Sequence, residues 1–192
     1  TITVTPTALS TVELPLTEDG AHVWRPFGPT GRIRVDLQAP GWCWDGHGYF
    51  DANFGTRALE ADFSTWTWAR FPSGDGALCI YDAQRRDGST LEAAISFGAD
   101  GQAKCVQAPP PARLRRTLWA LPRTVRADPG STPRQMKPML DAPFYSRSVV
   151  ETQIDGHRLV GVHEALDLNR FRNRLIQSML AVRVPRRRGW PG

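Results

Sequence analysis

No stretch of this chain approaches the ~18 consecutive apolar residues of a membrane-spanning helix, and no basic-then-apolar leader opens it. The expectation is a soluble or peripheral protein. The chain starts at Thr1 without an initiator methionine, in a stretch to Val12 that reads as a strand or connector, so it is read as a piece of a longer polypeptide. Cysteine is scarce. Cys43, Cys79 and Cys105 are odd in number, widely spaced and without a CxxC or a His/Cys ligand spacing, which argues against a disulfide framework or a zinc site. Free, mostly buried thiols in a reducing compartment are expected. No repeat of fixed period is visible, which disfavours solenoids and propellers. Residues 168–192 lack any acid while carrying seven arginines, so that end holds +7 and residues 1–167 sum to −2.

What is present points to β structure. At 192 residues, with 41% hydrophobic content, seven tryptophans and eight phenylalanines, the chain can bury one large core; 17 glycines and 16 prolines call for many turns. Arg32 to Leu37 alternates strictly, the period of a half-buried strand. Leu78 to Asp82 and Thr90 to Phe97 flank a polar run, Gln84 to Ser89, with the composition of a hairpin loop. Val149 to Ile154 and His157 to His163 flank Asp155-Gly156, a favoured type I′ turn. Ala108 to Ala112 and Asp128 to Pro133 read as surface loops. The fold expected is mainly β, an antiparallel barrel or sandwich over residues 1–167. After Asp167, a plausible cap, Leu168, Phe171, Leu175, Ile176 and Met179 fall on one helical face, and Pro185 ends the helix. This basic amphipathic helix, with Arg186 to Trp190 behind it, suits an anionic membrane surface; the alternative is a helix that merely caps the barrel.

Gly41 to Gly55, GWCWDGHGYFDANFG, is the segment richest in chemistry: an acid set in such an aromatic wall has its proton affinity raised. In an extended backbone Tyr49 and Asp51 share a face, as do His22 and Trp24 upstream. Two strands each lending such a pair would gather imidazole, indole, phenol and carboxyl in one interior. Taken singly, Trp24 and Tyr49 read as core packing, Asp51 as a turn residue and His22 as a structural histidine. Asp45 and His47 sit in a glycine-rich bend where exposure is the default. His157 and His163 face one side of a regular strand, but no carboxylate or cysteine completes a metal-ligand spacing. Glu164 and Asp167 read as residues that fix the strand-to-helix junction.

Several blocks in order resemble the carotenoid 1,2-hydratases, also called hydroxyneurosporene synthases, of carotenoid-making photosynthetic bacteria. They are His22-Val23-Trp24, Gly46 to Gly55, Leu59 to Phe63 with Trp66 to Arg70, His163 to Phe171, and Met179 to Arg187. The resemblance implies a lipocalin-like architecture in two related halves, of which this chain holds the second. It implies addition of water across the terminal 1,2 double bond of an acyclic carotenoid such as neurosporene or lycopene, with no cofactor and no metal. It also implies a place on the cytoplasmic side of the inner (intracytoplasmic) membrane. On that reading Asp51 is the acid, Trp24 and Tyr49 stabilise the tertiary cation, and His22 orients water or holds Asp51. Phe50, Phe54 and Trp44 then contact the substrate, and burial among Trp24, Tyr49, Phe50 and Phe54 keeps Asp51 protonated. Two alternatives are a non-catalytic carotenoid- or lipid-binding module and a related terpenoid or polyketide cyclase. Nucleic-acid binding by the arginine tail ranks last, because the body is slightly acidic and no nucleic-acid module is visible.

Overall fold

A computed structural model describes residues 1–180. The first half of the chain builds one sheet around two long strands rich in aromatic and β-branched residues. β3 (His22–Leu37) pairs along one edge with β4 (Trp42–Gly55). Its other edge takes the short β1 (Ile2–Pro6) and β2 (Leu14–Pro15). The regular alternation seen from Arg32 is only the end of β3. Its register with β4 shifts between Arg25 and Gly28 and again between Gly28 and Gly31, where Pro26 and Pro29 cannot donate to the ladder. These bulges hide the strand's first half from a period-two reading.

A second, seven-stranded antiparallel sheet follows, preceded by one helical turn, α1 (Leu59–Asp62). Its central strands are β5 (Phe63–Ser73), β6 (Gly76–Arg85) and β7 (Thr90–Phe97), with β8 (Ala103–Cys105) at one edge. After the small ribbon of β9 (Pro111–Leu114) and β10 (Arg123–Arg126), the chain returns as β11 (Arg134–Asp141), β12 (Tyr145–Ile154) and β13 (His157–Asp167). β13 pairs with β5, giving the order β11-β12-β13-β5-β6-β7-β8. Both expected hairpins are present, and Asp155 and Gly156 hold φ of 53° and 77°, the left-handed pair that a type I′ turn requires.

The large sheet is covered on both faces. On one, Phe63, Trp68, Cys79, Tyr81 and Phe97 pack against Leu16 and Trp24 of the first sheet region. On the other, Phe71, Ile80, Val150 and Ile154 pack against Leu114 and Val125 of the ribbon. Fully burying a side chain such as Phe63 or Phe71 contributes about 1.5–3 kcal/mol. The result is a mainly β, lipocalin-like sandwich of open sheets rather than a closed barrel. Arg70 bolts the sheets together: its Nε donates to the Pro29 carbonyl at 2.8 Å, which lies in the bulged stretch of β3.

Two expectations are corrected. The cysteines are free, but only Cys79 is buried, since Cys43 and Cys105 lie on exposed strand residues. The C-terminal helix is not continuous. Asp167 caps α2 (Leu168–Phe171) as expected, accepting from the Arg170 backbone N–H at 3.0 Å, but Arg172 and Asn173 break the helix before α3 (Arg174–Leu180). Four residues are too few to lay a helical stripe, so Leu168 is buried in the core while Leu175 is 73% exposed. The side chain of Met179 and the stretch from Pro185 to Trp190 lie outside the described residues.

Candidate active site

The two i, i+2 pairs of the aromatic segment meet because β3 and β4 are direct neighbours. Trp24 lies opposite Asn53, and its indole reaches diagonally to Asp51, where Nε1–H donates to Oδ2 at 2.7 Å. The donor fixes Oδ2 as an acceptor and leaves Oδ1 as the oxygen able to carry a proton. Burial is the largest influence on Asp51 and raises its proton affinity above the ordinary carboxylate level; the Trp24 hydrogen bond pulls the other way.

The wall around this acid comes from the large sheet. Tyr49 stacks on Trp68, ring centres 5.1 Å apart, and the Arg70 guanidinium lies 5.3 Å from the Tyr49 ring centre. Tyr81 leans on Trp24 at 5.8 Å, with Trp66 edge-on to it at the same distance. Burial, then the negative charge of Asp51, pushes both Tyr49 and Tyr81 well above the usual phenol value, so both stay neutral. Trp68 and Tyr81 belong to this wall and were not singled out in the sequence. Their alternation with core residues could have flagged a face, but nothing local says which interior that face meets.

Phe50, Phe54 and Trp44 stand elsewhere. They alternate with Tyr49 and Asp51 along β4 and therefore leave its opposite face. Phe50 and Phe54 are 57% and 49% exposed and pack with Phe27 on the outside, while Trp44 is exposed beside Val35 toward the far end of the hairpin. The hydrocarbon around Asp51 is thus supplied by Trp24, Tyr49 and the large sheet.

His22 shares the inward face of β3 with Trp24, and its hydrogen-bond partner is Asp62. Nε2 and Asp62 Oδ2 are 2.8 Å apart; the ring must donate, because the carboxylate only accepts. Arg57 grips the same carboxylate at 2.6 Å and holds it below the ordinary range, with His22 adding to the effect. The imidazole also needs Gly55 opposite: a Cβ there would stand 2.6 Å from Nδ1. His22 therefore anchors β3 and the end of β4 to α1, one ladder step from Trp24.

The strand-to-helix junction divides the two acids read together there. Asp167 caps α2, whereas Glu164 points from β13 into the space between the sheets, sharing a face with Val162 and Leu166, which pack on the same core as Tyr49. Its register neighbours are Trp68 on β5 and Arg147 on β12. His163, on the other face, is buried and bonds the Thr124 carbonyl of the ribbon at 2.7 Å. Among the described residues no three His, Cys, Asp or Glu cluster as a metal site.

The family profile described as Carotenoid hydratase CrtC matches residues 1–192. The acyclic carotenoid 1,2-hydratase of Cereibacter sphaeroides is 61% identical over 189 residues, 98% of this chain and 67% of that protein. The protein of the same description from Rhodobacter capsulatus is 53% identical over 190 residues, again 98% of this chain and 67% of the relative. The chain thus spans about two thirds of the length of these relatives. Among solved structures, an AttH-like protein from Nitrosomonas europaea superposes with a TM-score of 0.57 at 15% identity, covering 87% of this chain and 61% of that one. Kievitone hydratase from Nectria haematococca follows at a TM-score of 0.51 and 9% identity, covering 80% and 57%. These two likenesses concern the fold alone. With a profile match over its whole length and relatives at more than half identity, this chain belongs to the carotenoid hydratase CrtC family.

Proposed function

We propose that this chain carries the acid centre of an acyclic carotenoid 1,2-hydratase, acting on polyenes such as neurosporene or lycopene. Asp51, oriented by the Trp24 N–H inside an aromatic interior, is the observation that carries the reading. A trisubstituted alkene is a weak base, so its protonation demands a positioned acid that is still protonated near neutrality. Asp51 Oδ1 delivers the proton to C2 and the positive charge develops at the tertiary C1. The faces of Trp24 and Tyr49 each stabilise that cation by roughly 0.5–2 kcal/mol. Water then captures C1 as a tertiary alcohol. His22, through Asp62, keeps β3 in register so that Trp24 meets Asp51.

Expression in a lycopene-producing bacterium tests this, with the Cereibacter sphaeroides relative as positive control. The expected result is a carotenoid heavier by one water, detected by mass spectrometry. Pigment that is bound but unchanged in mass would favour a carrier instead.

A greasy substrate also calls for a membrane surface. Among the described residues no helix is long and apolar enough to cross a bilayer. The reading that the protein docks peripherally is supported by the loop after β9, where Leu118 is 94% and Trp119 48% exposed, beside the exposed Met136, Met139 and Leu140 of edge strand β11. Arg115, Arg116, Arg134 and Lys137 are exposed alongside, the mixture that suits an anionic interface. Arg170 donates to the Trp119 carbonyl at 2.8 Å, so the basic C-terminal segment starts at this patch. Flotation with anionic liposomes is expected to fall several-fold in Leu118→Asp/Trp119→Asp and with added salt; equal flotation with purely zwitterionic lipid would contradict it.

A further inference from the structure

Hydration needs two proton movements, one onto the alkene and one off the attacking water, and Asp51 accounts only for the first. We propose, resting on the hydratase reading above, that Glu164 is the base that takes the proton from the attacking water, which is held by the N–H groups of Trp68 and Arg147.

The placement is set by the ladder. Arg147, Glu164, Trp68 and Tyr81 follow one another in register across β12, β13, β5 and β6 on the face that looks toward the first sheet. Tyr49 stacks on Trp68, the residue beside Glu164, and Asp51 is two positions further along the same face of β4. Asp51 and Glu164 thus line the same aromatic interior between the sheets.

Their surroundings give the two carboxyls different work. Asp51 is held by a neutral indole N–H. Glu164 faces a cation, with Arg147 Nε 3.4 Å from its Oε1, and Tyr145 lies within hydrogen-bonding reach. Arg147 favours the ionised form of both carboxyls, but its Nε stands directly on Glu164 while the hydrogen-bond partner of Asp51 is the neutral indole, so Glu164 is the base and Asp51 the acid. Burial still raises Glu164 above the ordinary glutamate value, which strengthens it as a base.

Its two register neighbours each carry a donor without an acceptor. The Trp68 indole Nε1–H is buried and unpartnered, and the Arg147 Nε contact lacks hydrogen-bond geometry. A buried N–H left unpaired is costly, and a water oxygen is the acceptor that fits between such donors and a carboxylate. In the step itself, the Asp51 Oδ1–H bond breaks as C2–H forms, and the π pair leaves C1 cationic. The water oxygen bonds C1 and its proton passes to Glu164. Proton return from Glu164 to Asp51 through solvent completes the addition of one water.

The test is the pH profile and chemical rescue of variants in active enzyme, with the charged and titratable neighbours Arg147, Tyr145, Tyr49, Asp51 and Tyr81 unchanged. Wild-type turnover is expected to rise as Glu164 ionises and fall as Asp51 loses its proton. Glu164→Gln, nearly isosteric, is expected to lose about 10²-fold or more in kcat and the rising limb, keeping pigment binding. Formate or acetate is expected to restore turnover partly in Glu164→Ala and not in Asp51→Asn. A Glu164→Gln enzyme with wild-type kcat and an intact rising limb would overturn the assignment while leaving the hydratase reading in place. If wild type converts no carotenoid while the relative does, the hydratase reading itself fails.

Discussion

Asp51→Asn is expected to abolish hydration, by at least about 10²-fold in kcat, while the protein still folds and binds pigment. Asparagine has the shape of aspartic acid, and its amide oxygen still accepts the Trp24 indole N–H now 2.7 Å from Asp51 Oδ2. What it lacks is a proton that an alkene can take. The sign of the pH dependence follows. Activity requires the protonated acid, so the rate falls as pH rises through the Asp51 pKa, and burial moves that fall above the ordinary value of 3.8. Trp24→Phe removes the hydrogen bond that works against this shift, so its descending limb is expected at higher pH. Turnover of Asp51→Asn equal to wild type, measured by product formation on extracted lycopene, would remove Asp51 from the mechanism.

The second large effect concerns stability. Burial lowers His163 from 6.5 to about 4, because the ring lies fully enclosed between the large sheet and the ribbon, and Arg123 nearby also opposes its charge. The folded state therefore binds this proton less readily than the unfolded state. Stability from a neutral His163 is fully present above pH 6.5 and is lost as pH falls toward 4, by about 3 kcal/mol at the low end. The raised carboxyls Asp51 and Glu164 act in the opposite direction, gaining stability as pH falls. A variant separates the two. His163→Gln keeps a donor for the Thr124 carbonyl and removes the titration, so urea unfolding at pH 7 and pH 4.5 is expected to show a smaller loss than wild type. Parallel losses in both proteins would mean that His163 is not the group responsible.

Much of this architecture was legible from local chemistry. Asp155-Gly156 specifies its hairpin because only residues tolerant of positive φ make that turn. The polar run after Leu78 to Asp82 marks the other hairpin. β3 was legible only from Arg32 onward, since Pro26 and Pro29 break the alternation that would announce its first half. The continuous C-terminal helix was a fair reading of spacing, but spacing cannot register the break at Arg172 and Asn173.

The site divides along the same line. Period-two alternation by itself determined that Tyr49 travels with Asp51 and His22 with Trp24, because side chains two apart on a strand share a face whatever the fold. The same alternation puts Phe50 and Phe54 on the face opposite Asp51, which the expectation that they surround the acid overlooked and the structure corrects. Only the tertiary structure decided which face looks inward, which residues of the distant large sheet wall in the acid, and that His22 bonds Asp62. It alone set Glu164 in the space between the sheets, beside Trp68 and Arg147, rather than at the helix junction. Those choices belong to the packing of two sheets whose strands are far apart in the chain, and burial, which makes both carboxyls hold their protons more tightly, exists only once the sheets have met.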